Sequence, residues 1–97
     1  VQTLQKWTKK HYIRDEIQFS CLLTLWTMES HWNYKAHNKG GAYGIAQALP
    51  ASKMRVSGHD YLTNPYTQIR WGLRYIKTRY SNRACWALRS ELVKGWY

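Results

Sequence analysis

A mainly α-helical single domain, with one short β-hairpin or turn near residues 38–47, is predicted by three observations on this sequence. Apolar residues recur every three to four positions through most of the chain, the spacing of one helix face. Start and stop signals bracket those runs, among them Asp15 with Gln18, Asn64-Pro65 and Gly95. One glycine-rich stretch, Asn38 to Gly44, interrupts the helical spacing. The length, 97 residues, suits one core over residues 1–97, and the chain shows no linker, internal repeat or low-complexity tract.

Leu4 to about Tyr12 predicts the first helix, with Leu4, Trp7 and His11 turned inward. Asp15, with Gln18 three residues on, caps a second helix whose spacing puts Ile17, Cys21, Leu25 and Met28 on the buried face. That helix runs through Leu22-Leu23-Thr24-Leu25-Trp26-Thr27-Met28 and ends in a lone acid, Glu29. Asn38-Lys39-Gly40-Gly41-Ala42-Tyr43-Gly44 follows as a tight hairpin or reversed loop whose backbone can approach a ligand closely. Ile45-Ala46-Gln47 then sets an amide after the turn, and Leu49-Pro50 opens a short helix from Ala51 to about Val56, closed by Ser57-Gly58. Asn64 caps the next helix, with Pro65 at its first position and an apolar stripe of Ile69, Leu73, Ile76 and Tyr80. Gly72 inside that helix costs about 1 kcal/mol against alanine, so close helix packing is the expected reason for it. Cys85, Leu88 and Leu92 mark a last helix that stops near Gly95.

Charge narrows the setting. The chain carries 15 Lys and Arg against five acids, a formal +10, which suits a polyanionic environment: nucleic acid, acidic membrane or a cell wall bearing phosphate and carboxylate groups. No run of about 20 apolar residues exists, so no membrane-spanning segment is expected. Starting at Val1, without methionine or a basic-then-apolar leader, suggests a mature or excised piece of a longer chain. His11, His31, His37 and His59 have no paired spacing with Cys, Asp or Glu, so neither a metal nor a cofactor is expected.

Among the five acids, Asp15, Glu16, Asp60 and Glu91 lie in polar or turn-like surroundings, where a solvated carboxylate costs nothing. Glu29 differs. Leu25 and Trp26 precede it by one helical turn and Trp32 follows by another, so apolar surface would wrap its carboxyl. Desolvation favours the neutral acid. A glutamic acid kept protonated near neutral pH can deliver a proton to a leaving group, as a general acid must.

The ordered set Glu29-Ser30, Ala36, Gly41-Ala42-Tyr43-Gly44-Ile45-Ala46-Gln47 and Pro50 resembles the "ES…A…GAxGLxQxxP" signature of single-glutamate lytic transglycosylases. The likeness continues through Lys53-Met54, Asn64-Pro65, Gln68-Ile69, Trp71-Gly72-Leu73, Tyr75-Ile76 and Gly95-Trp96-Tyr97, nearly the whole chain from Phe19 onward. It is closest in character to small secreted or phage-borne domains of actinobacterial systems. The resemblance implies a lysozyme-like (goose-type/transglycosylase) fold acting on peptidoglycan glycan strands as a monomeric domain, secreted, wall-associated or virion-associated. It implies Glu29 as general acid and then base, with the substrate's own C6 hydroxyl replacing water and a 1,6-anhydromuramic end as product. By position it gives Gln47 a substrate-binding amide and Tyr75 a hydroxyl that bonds the acid. Tyr43 and Trp32 are candidates for stacking on sugar rings, and Asn38 and Ser30 join the substrate-binding set, Ser30 through local bonding. An extracellular setting favours a Cys21–Cys85 disulfide over two free thiols, and closing that loop contributes about 4 kcal/mol on the chain-entropy argument.

Two departures from the family pattern stand out. Ala46 replaces a methionine common in the glycine-turn motif, and Ala84-Cys85-Trp86-Ala87-Leu88-Arg89-Ser90 stands where many relatives have an "AYNAG"-like motif. Three other readings remain open on the sequence. A lysozyme-type hydrolase on the same fold would need a second carboxylate, such as Asp60 or Glu91, folded into the cleft. A wall-binding domain would keep the cleft without turnover. A basic nucleic-acid module would use Arg70, Arg74, Lys77 and Arg79, although no DNA-binding signature accompanies them and no specific nucleic-acid partner is expected.

Overall fold

The computed structural model describes residues 1–97, and the capping signals act where the sequence puts them. After α1 (Gln2–His11), the Asp15 carboxylate accepts a hydrogen bond from the Gln18 backbone N–H at 2.9 Å and opens α2 (Glu16–Ser30). A 3-10 helix (Ala51–Ser57) follows and ends at Gly58. Asn64 accepts from the Tyr66 N–H at 2.9 Å and starts α3 (Pro65–Arg79) with proline in its first turn. The last helix, α4 (Ala84–Lys94), stops at Gly95, whose φ of +84° is the left-handed conformation that glycine adopts freely. Between α2 and the 3-10 helix the chain makes isolated antiparallel bridges, His37 with Tyr43 and Tyr43 with Ala48, in place of a regular hairpin.

The buried face of α2 is only partly the one expected: Leu25 is buried and Cys21 half-buried against the core, but the other two positions are not. Ile17 is 73% exposed and Met28 48% exposed, while Leu22, Leu25, Trp26 and Ser30 face the core. The helix is apolar on most sides, so spacing alone does not choose a face. Packing chooses it. A Cβ added to Gly72 of α3 would come within 2.5 Å of Trp26 Cζ2, so the bare glycine is what lets the benzo edge of the indole reach that helix. Cys21 then turns toward α4 and bridges to Cys85, with Cα atoms 4.9 Å apart. The Cys85 N–H donates to Gln18 Oε1 at 2.9 Å, so α2 and α4 start side by side.

One further inward position is corrected. His11 is exposed, stacked on Trp7 with ring centroids 3.8 Å apart, and Thr8 and Tyr12 are buried in its stead. Leu92 is exposed because α4 meets the core through Ala84 and Ala87, whose small side chains bring the helix close and turn larger ones outward. Gln68, fully buried in α3, holds the glycine loop: Oε1 accepts from the Ile45 N–H at 2.9 Å, and Nε2 donates to the Tyr34 and Tyr61 carbonyls, each at 2.9 Å. Gly44 has no room for a Cβ, which would sit 2.5 Å from that amide oxygen.

Candidate active site

Glu29 occupies the last turn of α2, which ends because His31 takes a left-handed conformation with φ +52°. The neighbouring Ser30 hydroxyl donates to the Ile45 carbonyl at 2.7 Å, pinning the helix end to the glycine loop. These two constraints aim Glu29 into a groove of about 460 Å3 between the loop, α3 and α4. Ala46 and Gln47 form one side, Trp71 and Tyr75 another, and Glu91 with the Gly95–Tyr97 segment a third.

Burial first, then a hydrogen bond with the Glu91 carboxyl and repulsion from its charge, together raise the Glu29 carboxyl from 4.5 to about 8. Neither of the two ion pairs in the protein, Lys9–Glu16 and Arg14–Asp15, involves Glu29. At neutral pH the group is therefore mostly a neutral acid facing a groove. Glu91 reaches it because the Cys21–Cys85 bridge fixes the starts of α2 and α4 together. Each acid then follows its bridged cysteine by about two helical turns.

Behind Glu29 stands a buried phenol. The Tyr97 hydroxyl donates to the Ala46 carbonyl at 2.8 Å and accepts from Trp26 Nε1 at 3.0 Å, and burial holds its pKa well above the ordinary tyrosine value. Tyr75 stacks on Trp71 with centroids 5.2 Å apart. Its hydroxyl donates to the Tyr97 backbone carbonyl, in place of the Glu29 carboxyl that the family likeness implied.

Gln47, Asn38 and Tyr75 line the groove. Gln47 has φ +58°, and its Nε2 donates to the Gly44 carbonyl at 2.8 Å and the Ala36 carbonyl at 3.2 Å, which leaves Oε1 to accept from a ligand. Asn38 Oδ1 accepts from the Ala42 N–H at 3.1 Å and shapes the turn. Three other expected substrate contacts lie elsewhere. Ser30 is buried beneath the loop. Trp32, beyond the end of α2, is buried edge-on to Trp26 at 5.2 Å, with no surface for a sugar and no partner for its Nε1. The Tyr43 hydroxyl is tied to the Leu62 carbonyl at 2.8 Å, outside the groove.

Of the two reserve acids, Asp60 is spent on Asn64 and Thr67, whose hydrogen bonds lower its pKa, whereas Glu91 enters the groove. His37 also lines it; His31 does not. No three His, Cys, Asp or Glu side chains cluster as a metal would require. The arrangement can donate a proton to a leaving oxygen. Glu91 lines the same groove as Glu29, and its carboxyl favours the protonated form of that acid.

The sequence model of one protein family, described as the Transglycosylase SLT domain, matches residues 4–88. No curated protein and no solved structure matches the chain.

Proposed function

Because this chain belongs to the Transglycosylase SLT domain family, a group of enzymes that cleave the glycan of peptidoglycan at the cell wall, we propose that it is a lytic transglycosylase with Glu29 as its acid and base. The observation that carries this reading is the neutral Glu29 carboxyl in an open groove beside Gln47 and Tyr75. Glu29 donates its proton to the oxygen bridging N-acetylmuramic acid to N-acetylglucosamine, and that bond breaks as positive charge develops on the sugar carbon. The substrate's N-acetyl group stabilises the charge from within the sugar. The Glu29 carboxylate then takes the proton of the C6 hydroxyl as its oxygen closes on that carbon, leaving a 1,6-anhydro end and the acid restored.

Gln47 Oε1 accepts from a substrate amide or hydroxyl, and Asn38 borders the same stretch of groove. Half-buried Tyr75, backed by the buried Trp71 ring stacked on it, offers a ring surface to a pyranose. Glu91 keeps the proton on Glu29 until a leaving group takes it. The Cys21–Cys85 bridge suits work outside the cytosol, secreted, wall-associated or virion-associated, and no helix is long and apolar enough to cross a membrane.

Hydrolysis is the second reading, favoured by the presence of Glu91 in the groove, since a second carboxylate could activate water. Digestion of peptidoglycan in 18O-labelled water separates the two. Anhydro ends without label, absent from the Glu29→Gln digest, are the expected products. Labelled reducing ends mean a lysozyme, and no soluble product means a binding domain.

A further inference from the structure

Beside the groove, and sharing Trp96 with it, lies a second concavity of about 480 Å3 between the end of α3 and the outer face of α4. Arg79, Arg89 and Lys94 line it together with Trp86 and Trp96, and no acidic side chain does. The cations and indoles are already arranged around one another. The Arg79 guanidinium lies 5.7 Å and Lys94 Nζ 5.0 Å from the Trp96 ring centroid, and Arg83 packs 4.6 Å from that of Trp86. The Ser90 hydroxyl donates to the Trp96 carbonyl at 2.7 Å and fixes the wall between the two concavities.

Both indoles are 51% exposed, a costly arrangement for large apolar rings unless something covers them. Both ion pairs in the protein involve other residues, so the three cations have no carboxylate partner and repel one another across a concave surface. An anion with an apolar body would relieve both conditions at once. A backbone of neutral N-acetylglucosamine units could stack on the indoles but would leave the cations without a counter-charge. In peptidoglycan the anionic, partly apolar component is the peptide hung from each muramyl sugar, which starts within one residue of the bond that Glu29 faces.

We infer that this concavity is a subsite for the carboxylate-bearing peptide of a muramyl residue, entered past Trp96 when the sugar lies in the catalytic groove. Arg89 and Arg79 hold the carboxylate with paired N–H donors, Lys94 adds a point charge, and the indoles cover the peptide's apolar side chains. The inference rests on the proposed peptidoglycan cleavage and extends it to the choice of substrate.

The test measures KM and kcat for wild type and Arg89→Glu on glycan strands with their peptides and on the same strands stripped of them. Lys94→Gln serves as a second, milder variant. Wild type is expected to show a KM about tenfold lower on peptide-bearing strands, the worth of one charge-assisted pair in a partly enclosed site. Arg89→Glu abolishes that preference and leaves the stripped strands unaffected, because Arg89 does not line the catalytic groove. Equal KM on the two polymers in wild type, or an equal rise on both in the variant, overturns the subsite while the cleavage itself stands. Competition by a phosphodiester polymer and none by free stem peptide overturns the choice of ligand. No turnover of either polymer by wild type removes the proposed function and this subsite with it.

Discussion

Replacing Glu91 with glutamine should move the acid limb of the reaction without disabling it. The amide keeps the shape and the hydrogen bond but removes the negative charge that opposes ionisation of Glu29. With its pKa at about 8, Glu29 is about 90% protonated at pH 7; at the ordinary 4.5 the fraction would be about 0.3%. Desolvation is the largest cause of the rise and survives the substitution, so the variant keeps Glu29 above the ordinary value but below that of wild type. A lowering of roughly 1.5 to 2 pH units reduces the protonated fraction at pH 7 roughly fourfold to tenfold. The assay is kcat/KM on peptidoglycan strands from pH 4.5 to 9. In wild type, activity that needs the neutral acid falls as pH rises through about 8; in Glu91→Gln the fall begins at lower pH, and the two rates converge near pH 5. An unmoved limb, or the same loss at pH 5 as at pH 7, would refute the coupling and reduce Glu91 to a structural neighbour.

Three other outcomes follow from the same contacts. The folded chain holds the Glu29 proton up to about pH 8, whereas the unfolded chain releases it near 4.5, so stability from this group falls as pH rises between those values. Glu29→Gln should therefore raise Tm over wild type at pH 8, by roughly 5 °C for each kcal/mol relieved, and hardly change it at pH 4; equal gains at both would contradict the assignment. Reducing the disulfide, or replacing Cys21 and Cys85 with serine, opens a link across 64 positions and should cost about 4 kcal/mol in urea unfolding, with a loss of activity as α4 frees Glu91 from Glu29. Gly72→Ala should cost about 1–3 kcal/mol because the added methyl meets the Trp26 ring and Ala46, whose positions set the groove floor; unchanged stability would mean that α2 can shift freely against α3.

Local chemistry was legible in the sequence wherever neighbours along the chain decide the structure. Asp15 and Asn64 cap as their residue types predict, Gly95 ends α4, and Gly72 marks a close approach, that of the Trp26 indole to α3. The face of α2 was legible only at Leu25 and Cys21, because its apolar residues surround it and the fit of Trp26 over Gly72 helps select the side. The site divides in the same way. Glu29, Gln47, Asn38 and Tyr75 share the groove, and each belongs to or borders an ordered motif. Trp32 and Tyr43 sit in the same stretch yet point elsewhere, since rings of one type serve packing and binding alike. Glu91, Trp71 and Tyr97 reach the groove through contacts between distant segments. For Glu91 a signal did exist: a bridge from Cys21 to Cys85 sets the two helices side by side and brings both acids to the same level.

Everything proposed for the chemistry depends on Glu29 holding a proton in the groove at neutral pH. Titration of the free protein labelled with 13C at glutamate carboxyls, with Glu29→Gln to assign the resonance, measures this directly. A Glu29 midpoint near 8 is the expected result. A midpoint near the ordinary 4.5 would contradict it, since the group would then be a carboxylate with no proton to give.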